Sequence, residues 1–149
     1  MSLENFSPES KVWIYQADRF LTETEKVWLQ EQMNEFTENW ASHGSQLKAS
    51  GIIYNDFTVV LAVDTTVANS SGCSIDKSVH FIKEVGKALQ VDFFNRLKVW
   101  IKDNNEFSRV SFKDLSNFSS ACYFDGTIQN LKDFKAKFEI PVSELLQNH

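Results

Sequence analysis

The sequence predicts an α+β fold in a single domain of 149 residues. Short stretches alternate between apolar and polar residues, as strands do, and two longer stretches repeat apolar residues at helical spacing. The two kinds of element also follow one another in a regular order. Because 42% of the residues are hydrophobic, including 13 phenylalanines, the chain can fill one core of its own.

The first strand and the first helix are indicated by local patterns. Lys11–Gln16 (KVWIYQ) alternates around aromatic and β-branched residues, which predicts a strand. Thr22 and Glu25 have the spacing of a capping box, in which each side chain bonds the backbone N–H of the other residue. Apolar residues then recur every three or four positions, and Gly44 is a typical C-terminal stop. We therefore expect a helix over residues 23–42.

A hairpin and a second helix are expected next. Residues 51–54 (GIIY) and 57–63 (FTVVLAV) predict two strands, joined by an Asn-Asp pair that tolerates a tight turn. After a polar loop, residues 74–89 have their apolar side chains on one side of a helix. Residues 96–102 (RLKVWIK) alternate again and predict a fourth strand.

The resulting order is strand, helix, strand, strand, helix, strand, which is the order of the ferredoxin-like split βαβ arrangement. The predicted domain spans residues 1–149, with this core over about 11–102 and a mixed C-terminal extension over about 103–149. In the extension we expect short strands near residues 109–112 and 120–124 and helices near 129–137 and 141–146.

Three aromatic residues raise the question of what covers the sheet. Trp13, Tyr15 and Trp100 are expected on the sheet face that does not carry the two helices. Either the C-terminal extension or a second subunit must cover such a face. We expect a homodimer.

Composition and missing motifs exclude several classes of function. The net charge is −5 and there is no basic cluster, so a nucleic-acid partner is not expected. The longest aliphatic run, residues 59–63, is far shorter than a membrane span. No P-loop, dinucleotide-binding, zinc-protease or serine-hydrolase motif occurs, and no cofactor is predicted. With two cysteines and no secretory signal in the first ten residues, we expect a cytoplasmic protein with reduced thiols.

Residues 70–81 (SSGCSIDKSVHF) carry the densest group of reactive side chains. On a helix one face would hold the polar residues Cys73, Asp76, Lys77, His80, Glu84 and Lys87. The opposite face would hold the apolar residues Ile75, Val79, Ile82, Val85 and Leu89. The simpler interpretation is therefore a solvated helix face behind an ordinary N-terminal cap.

The alternative interpretation is a binding site at the start of this helix. Ser71, Gly72 and Ser74 would present unpaired backbone N–H groups and the positive end of the helix dipole to an anion. Lys77 and His80 would add polar or charged contacts.

Cys73 could also be a nucleophile, because the same field favours a thiolate. His80, about 10 Å further along the helix axis, is too distant to form a direct pair with that thiol. A zinc site built from Cys73, Cys122 and the three histidines lacks paired ligand spacing, so no metal is expected.

The predicted topology brings a second segment to the same place. In a split βαβ arrangement the first helix ends at the sheet edge where the second begins, so Trp40 and His43 should approach Gly72 and Cys73. We expect the His43 and Cys73 side chains within roughly 10 Å, with Trp40 as an apolar platform. In the simpler interpretation Trp40 packs in the core and His43 only complements the end of its helix.

Three segments carry a resemblance to a known family. WASHG (residues 40–44), GCSIDKSVHFIKE (residues 72–84) and KVWIYQ resemble a family of small uncharacterised bacterial proteins, many of them labelled "ABC transporter ATPase". The likeness runs from Lys11 to about Ile101. The resemblance implies no established function or catalytic residue.

Three hypotheses about function follow. The first is a small-ligand or anion binding module that uses the start of the second helix. The alternatives are a cysteine-dependent enzyme at Cys73 and a self-associating scaffold protein without chemistry.

Overall fold

The protein is a mixed α+β structure with several antiparallel sheets. The computed structural model describes residues 3–147, and only the backbone of residues 146 and 147. The first half contains β1 (Lys11–Gln16), α1 (Glu23–Glu38), β2 (Ala41–Ser42), β3 (Ser45–Gln46), β4 (Ala49–Ile53), β5 (Thr58–Val63) and α2 (Gly72–Leu89). The second half contains β6 (Lys98–Asp103), β7 (Glu106–Ser111), a 3₁₀ helix (Phe112–Phe118), β8 (Cys122–Phe124), α3 (Leu131–Lys137), β9 (Glu139–Pro141) and α4 (Val142–Gln147).

The main three-stranded sheet has the order β1-β5-β4, with every pair antiparallel. All six residues of β5 are buried, because this central strand is covered on both faces. The predicted first strand and the predicted hairpin are therefore confirmed. The capping box at the start of α1 is confirmed as well: Thr22 Oγ1 accepts from Glu25 N at 3.1 Å, and Glu25 accepts from Thr22 N at 2.9 Å.

The ferredoxin-like sheet is not confirmed, because its fourth strand lies elsewhere. β6 pairs with β7 on one edge and with β8 on the other, inside a second sheet of order β7-β6-β8-β9. Both backbone edges of β6 are thus satisfied there. The Trp100 side chain holds β6 against the first sheet instead, stacking on Phe57 at 4.1 Å and donating to Ala17 O at 2.8 Å.

The sequence predicts that the segment WASHG ends the first helix, and this prediction is wrong. Helix α1 stops at Glu38, and β2 and β3 form a small hairpin whose two turn residues are His43 and Gly44. Both turn residues have positive φ, 50° and 80°, as the tight turn of a two-residue hairpin requires. Gly44 therefore ends a strand and not a helix.

The prediction that an aromatic face of the sheet is turned away from the helices is also wrong. Trp13 contacts Trp40 at 5.9 Å between ring centroids, and Tyr15 bonds Ser78 of α2, so both face the helices. The opposite face of β1 is covered by the C-terminal half of the chain, with Phe134 and Phe138 in the same core cluster. The physical reason for expecting a dimer is thereby removed.

The two faces of α2 divide almost as predicted. All six residues of its predicted polar face are exposed. However, the buried stripe includes Ser74 and Ser78, while Ile75 and Val79 are only half-buried. The buried side of α2 is shifted toward the serines relative to the predicted apolar stripe. Ser78 can be buried because its Oγ–H donates to Ile75 O at 2.6 Å and its oxygen also bonds Tyr15.

Candidate functional site

Trp40 meets the start of α2, as the sequence predicted, but as a core residue. Its side chain is 2% exposed, and its Nε1–H donates to Ser74 O at 2.8 Å. It also packs against the Phe36 ring at 5.1 Å. Trp40 thus anchors the beginning of α2 as a buried residue.

His43 does not take part in this contact between Trp40 and the start of α2. The side chain is exposed at the tip of the β2–β3 turn, and no hydrogen bond or salt bridge joins it to Cys73 within residues 3–147. Of the two residues expected to approach the start of α2, Trp40 therefore makes a direct contact there, whereas no bond is seen between His43 and Cys73.

The serines at the start of α2 are committed to capping the helix. Ser71 Oγ accepts from Ser74 N at 3.2 Å, and Ser74 Oγ accepts from Ser71 N at 2.7 Å. Ser74 Oγ also donates to Ser71 O at 2.8 Å. Gly72 and Cys73 remain exposed at this end. The backbone N–H groups of Ser71 and Ser74, which the expected anion site would use, are therefore already paired within the cap.

Lys77 and His80 line shallow grooves between α1 and α2. The floor is the stacked pair Phe36 and Phe81, whose ring centroids lie 4.5 Å apart. Lys77 and Trp40 border one groove of about 320 Å³, and Lys77 and His80 border another of about 540 Å³. These residues share an apolar surface and do not converge on a polar site.

The two thiols do not combine with other metal-binding groups. Cys73 is exposed, and Cys122 is half-buried in β8. Across residues 3–147, no three His, Cys, Asp or Glu side chains come together as metal ligands do. His149, the third histidine, lies outside the described residues.

Polar groups surround an apolar cavity elsewhere in the protein, in the space between the two sheets. We call this space the inter-sheet cleft. Its first lobe, of about 230 Å³, lies between Ile14 and Gln16 of β1 and Val99 and Tyr123 of the second sheet. We call it the Tyr123 lobe. A second lobe of about 420 Å³ adjoins it, between β1, Ile75 of α2 and residues 126–129, and we call it the Tyr15 lobe.

Arg96 is the cation common to both lobes. It borders each lobe together with Ile14, Gly126 and Thr127, and Lys98 borders the Tyr123 lobe. Neither Arg96 nor Lys98 forms a side-chain salt bridge in the described part of the chain. Arg96 is exposed, and a guanidinium beside apolar walls can orient an anionic ligand.

The two tyrosines of the cleft stay protonated near neutral pH. Burial raises the pKa of Tyr123 to about 12; the Asp125 carboxylate raises it further, while Arg96 opposes the rise. Burial also raises the pKa of Tyr15, against the hydrogen bond with Ser78 and the charge of Arg96. The Tyr15 phenol is engaged with Ser78 of α2, so Tyr123 is the phenol that remains beside the cleft, and Arg96 supplies the positive charge.

Asp125 is an acidic group whose charge acts on Tyr123, and its hydrogen bonds are with its own turn. Its Oδ1 accepts from Thr127 N at 2.9 Å and from Thr127 Oγ1. It thereby shapes the turn that carries Gly126 past Gln16. The carboxylate offsets part of the positive charge of the cleft, which leaves Arg96 and Lys98 in excess.

Sequence reasoning missed this cleft because its walls come from distant parts of the chain. Ile14, Arg96 and Tyr123 are brought together only when β6 joins the second sheet. One signal was available: residues 96–98 place two cations on either side of a leucine, directly before a buried strand. The alternation of that stretch predicts a strand and does not by itself indicate a site.

Comparisons with known proteins identify no relative. No family model, no curated protein and no solved structure matches this chain. The resemblance to the small bacterial family therefore remains a prediction. None of the described helices is long and apolar enough to cross a membrane.

Proposed function

We propose that this protein binds a small anionic ligand in the inter-sheet cleft. The class of function is the one expected from the sequence, but the place differs: the cleft and not the start of α2. The observation that carries the proposal is Arg96, an unpaired cation bordering both lobes of a largely apolar cavity. At the start of α2 the two serines already bond each other's backbone.

The size of the cleft limits the ligand. A cavity of about 150 Å³ lined by apolar side chains is enough for benzene. The Tyr123 lobe, with about 230 Å³, therefore has room for one ring or branched chain and an attached acidic group. A molecule with a longer body would extend into the Tyr15 lobe.

Titration with 3-phenylpropionate, followed by protein NMR, tests the proposal. We expect shifts confined to the cleft and a dissociation constant that rises about tenfold or more in Arg96→Gln, since a charged hydrogen bond contributes roughly 1.5–3 kcal/mol. Lys77→Gln, an equally exposed cation on α2, is the matched control and should leave binding unchanged. Loss of binding in Lys77→Gln alone would move the site to α2, and no binding at all would refute the proposal.

A self-associating scaffold is the second candidate, and one exposed apolar pair favours it. Leu97 is 82% exposed and Phe112 is 50% exposed. A backbone hydrogen bond of 3.0 Å from Phe112 N to Leu97 O holds the two residues side by side. Light scattering at micromolar concentration should give a dimer mass that falls to the monomer mass in Leu97→Asp. A monomeric wild type would exclude the homodimer.

We infer a cytoplasmic location from the thiols. Cys73 and Cys122 are both free, and Cys73 is exposed. Exposed free thiols persist in reducing compartments. Fractionation of the cells that make the protein tests this inference, and recovery outside the cytoplasm would contradict it.

A further inference from the structure

The outer edge of β1 is only partly paired. β1 is an edge strand of its sheet. On its outer side Val12 N donates to Gln129 O at 3.0 Å, and Leu131 N donates to Ser10 O at 2.9 Å. An antiparallel strand directs alternate residues to the same side, so the N–H and C=O of Ile14 point outward as those of Val12 do.

Ile14 has no backbone partner on that side in the described chain. Gly126 and Thr127, which precede the segment that pairs with Val12, form no backbone hydrogen bond with Ile14, and all three residues border both lobes of the inter-sheet cleft. The next outward residue, Gln16, closes the far end of this gap with its side chain, which donates to Phe124 O at 3.2 Å.

This gap exists because the expected fourth strand is absent from the sheet. In a split βαβ sheet a strand would pair with the outer edge of β1. Here β6 lies in the second sheet, so one donor and one acceptor of Ile14 face a cavity instead of a strand. Buried backbone groups are almost always paired, and a ligand can supply the missing partner.

We propose that the ligand of the inter-sheet cleft carries a secondary amide next to a carboxylate, as in an N-acylated amino acid or the last residue of a peptide. This inference rests on the proposed function. The amide N–H donates to Ile14 C=O, and a ligand oxygen accepts from Ile14 N–H, as in one pair of an antiparallel ladder. The carboxylate binds the Arg96 guanidinium, and an apolar side chain fills the Tyr123 lobe between Val99 and Phe112.

Three probes of similar size separate the parts of this chemistry. N-acetyl-L-phenylalanine has both groups, N-acetyl-L-phenylalanine amide lacks the carboxylate, and 3-phenylpropionate lacks the amide. We expect the first to bind about tenfold more tightly than either of the others, since each missing contact removes a hydrogen bond of moderate strength. Its binding should shift the Ile14 amide resonance, and Arg96→Gln should weaken it about tenfold without affecting the carboxamide probe.

The outcomes distinguish this inference from the proposed function. If 3-phenylpropionate binds as tightly as N-acetyl-L-phenylalanine and the Ile14 resonance does not move, the amide part is wrong while the anion site stands. If neither acid binds, the proposed function fails too. Acetyl-Gly-Gly-Phe separates the two sources: tighter binding than N-acetyl-L-phenylalanine supports a peptide C-terminus, and equal binding supports an acylated amino acid.

Discussion

Asp64 ties the N-terminal segment to the main sheet, and its substitution gives the sharpest test of the fold. The carboxylate follows β5 and is 4% exposed. It accepts from Thr66 Oγ1 at 2.6 Å, from Thr66 N at 3.0 Å and from Ser7 N at 3.1 Å. Lys48 Nζ lies 3.4 Å from its second oxygen.

These contacts favour the charged carboxylate, so the stability they provide depends on pH. The Thr66 hydroxyl, with Ser7, the Thr66 amide and Lys48, lowers the pKa of Asp64 from 3.8 to about 2 despite burial. One pKa unit corresponds to about 1.4 kcal/mol, so the shift amounts to about 2 kcal/mol. Because the pKa is lowered on folding, this stability is present above about pH 4 and is lost as the pH falls toward 2.

Urea unfolding of Asp64→Asn, followed by tryptophan fluorescence, measures this contribution. At pH 7 we expect the free energy of unfolding to fall by about 2 kcal/mol, and the difference from wild type should shrink between pH 4 and pH 2. Glu31→Gln, at an exposed α1 residue without a hydrogen bond or salt bridge in the described chain, is the control. An unchanged stability at pH 7, or an equal loss at pH 7 and pH 2, would refute this account.

Three further predictions concern the segments that sequence analysis singled out. Trp40→Phe keeps the packing but loses the hydrogen bond to α2, so we expect about 1 kcal/mol lower stability in urea unfolding. Gly44→Ala should also cost about 1 kcal/mol because φ is positive there, whereas Gly72→Ala, which meets open space, should not destabilise. In the folded protein Cys73 should react with Ellman's reagent faster than the half-buried Cys122, at the rate of a free cysteine peptide. A rate about tenfold above that peptide would favour the cysteine-dependent enzyme.

Elements whose signals are local were predictable from the sequence. The capping box at Thr22 marks the start of α1 because its two hydrogen bonds span only four residues. The exposed face of α2 follows from helical spacing alone. The sequence analysis did not predict two tight hairpin turns, His43-Gly44 and Asn104-Asn105. In the structure all four of these residues have positive φ. Asn tolerates that conformation, so the Asn104-Asn105 pair was a readable turn signal.

The candidate site shows where such reasoning stops. Residues 70–81 attracted attention because reactive side chains are close in sequence, yet the structure uses the serines there for capping. The inter-sheet cleft instead joins Ile14, Arg96 and Tyr123, which are separated by tens of residues. No local pattern specifies that β6 pairs with β7 and β8 and leaves β1 open.

The sequence by itself determined the α+β class, the β4–β5 hairpin, the beginnings of both long helices and the exposed residues of α2. Only the tertiary structure decided which sheet β6 joins, which face of β1 meets α2, and where a cavity remains. Helix caps and turns depend on hydrogen bonds and dihedral angles within a few residues, so they can be recognised one segment at a time. Strand partners depend instead on which distant surfaces bury most together, as Trp100 and Phe57 do here, and that competition is resolved only in the folded chain.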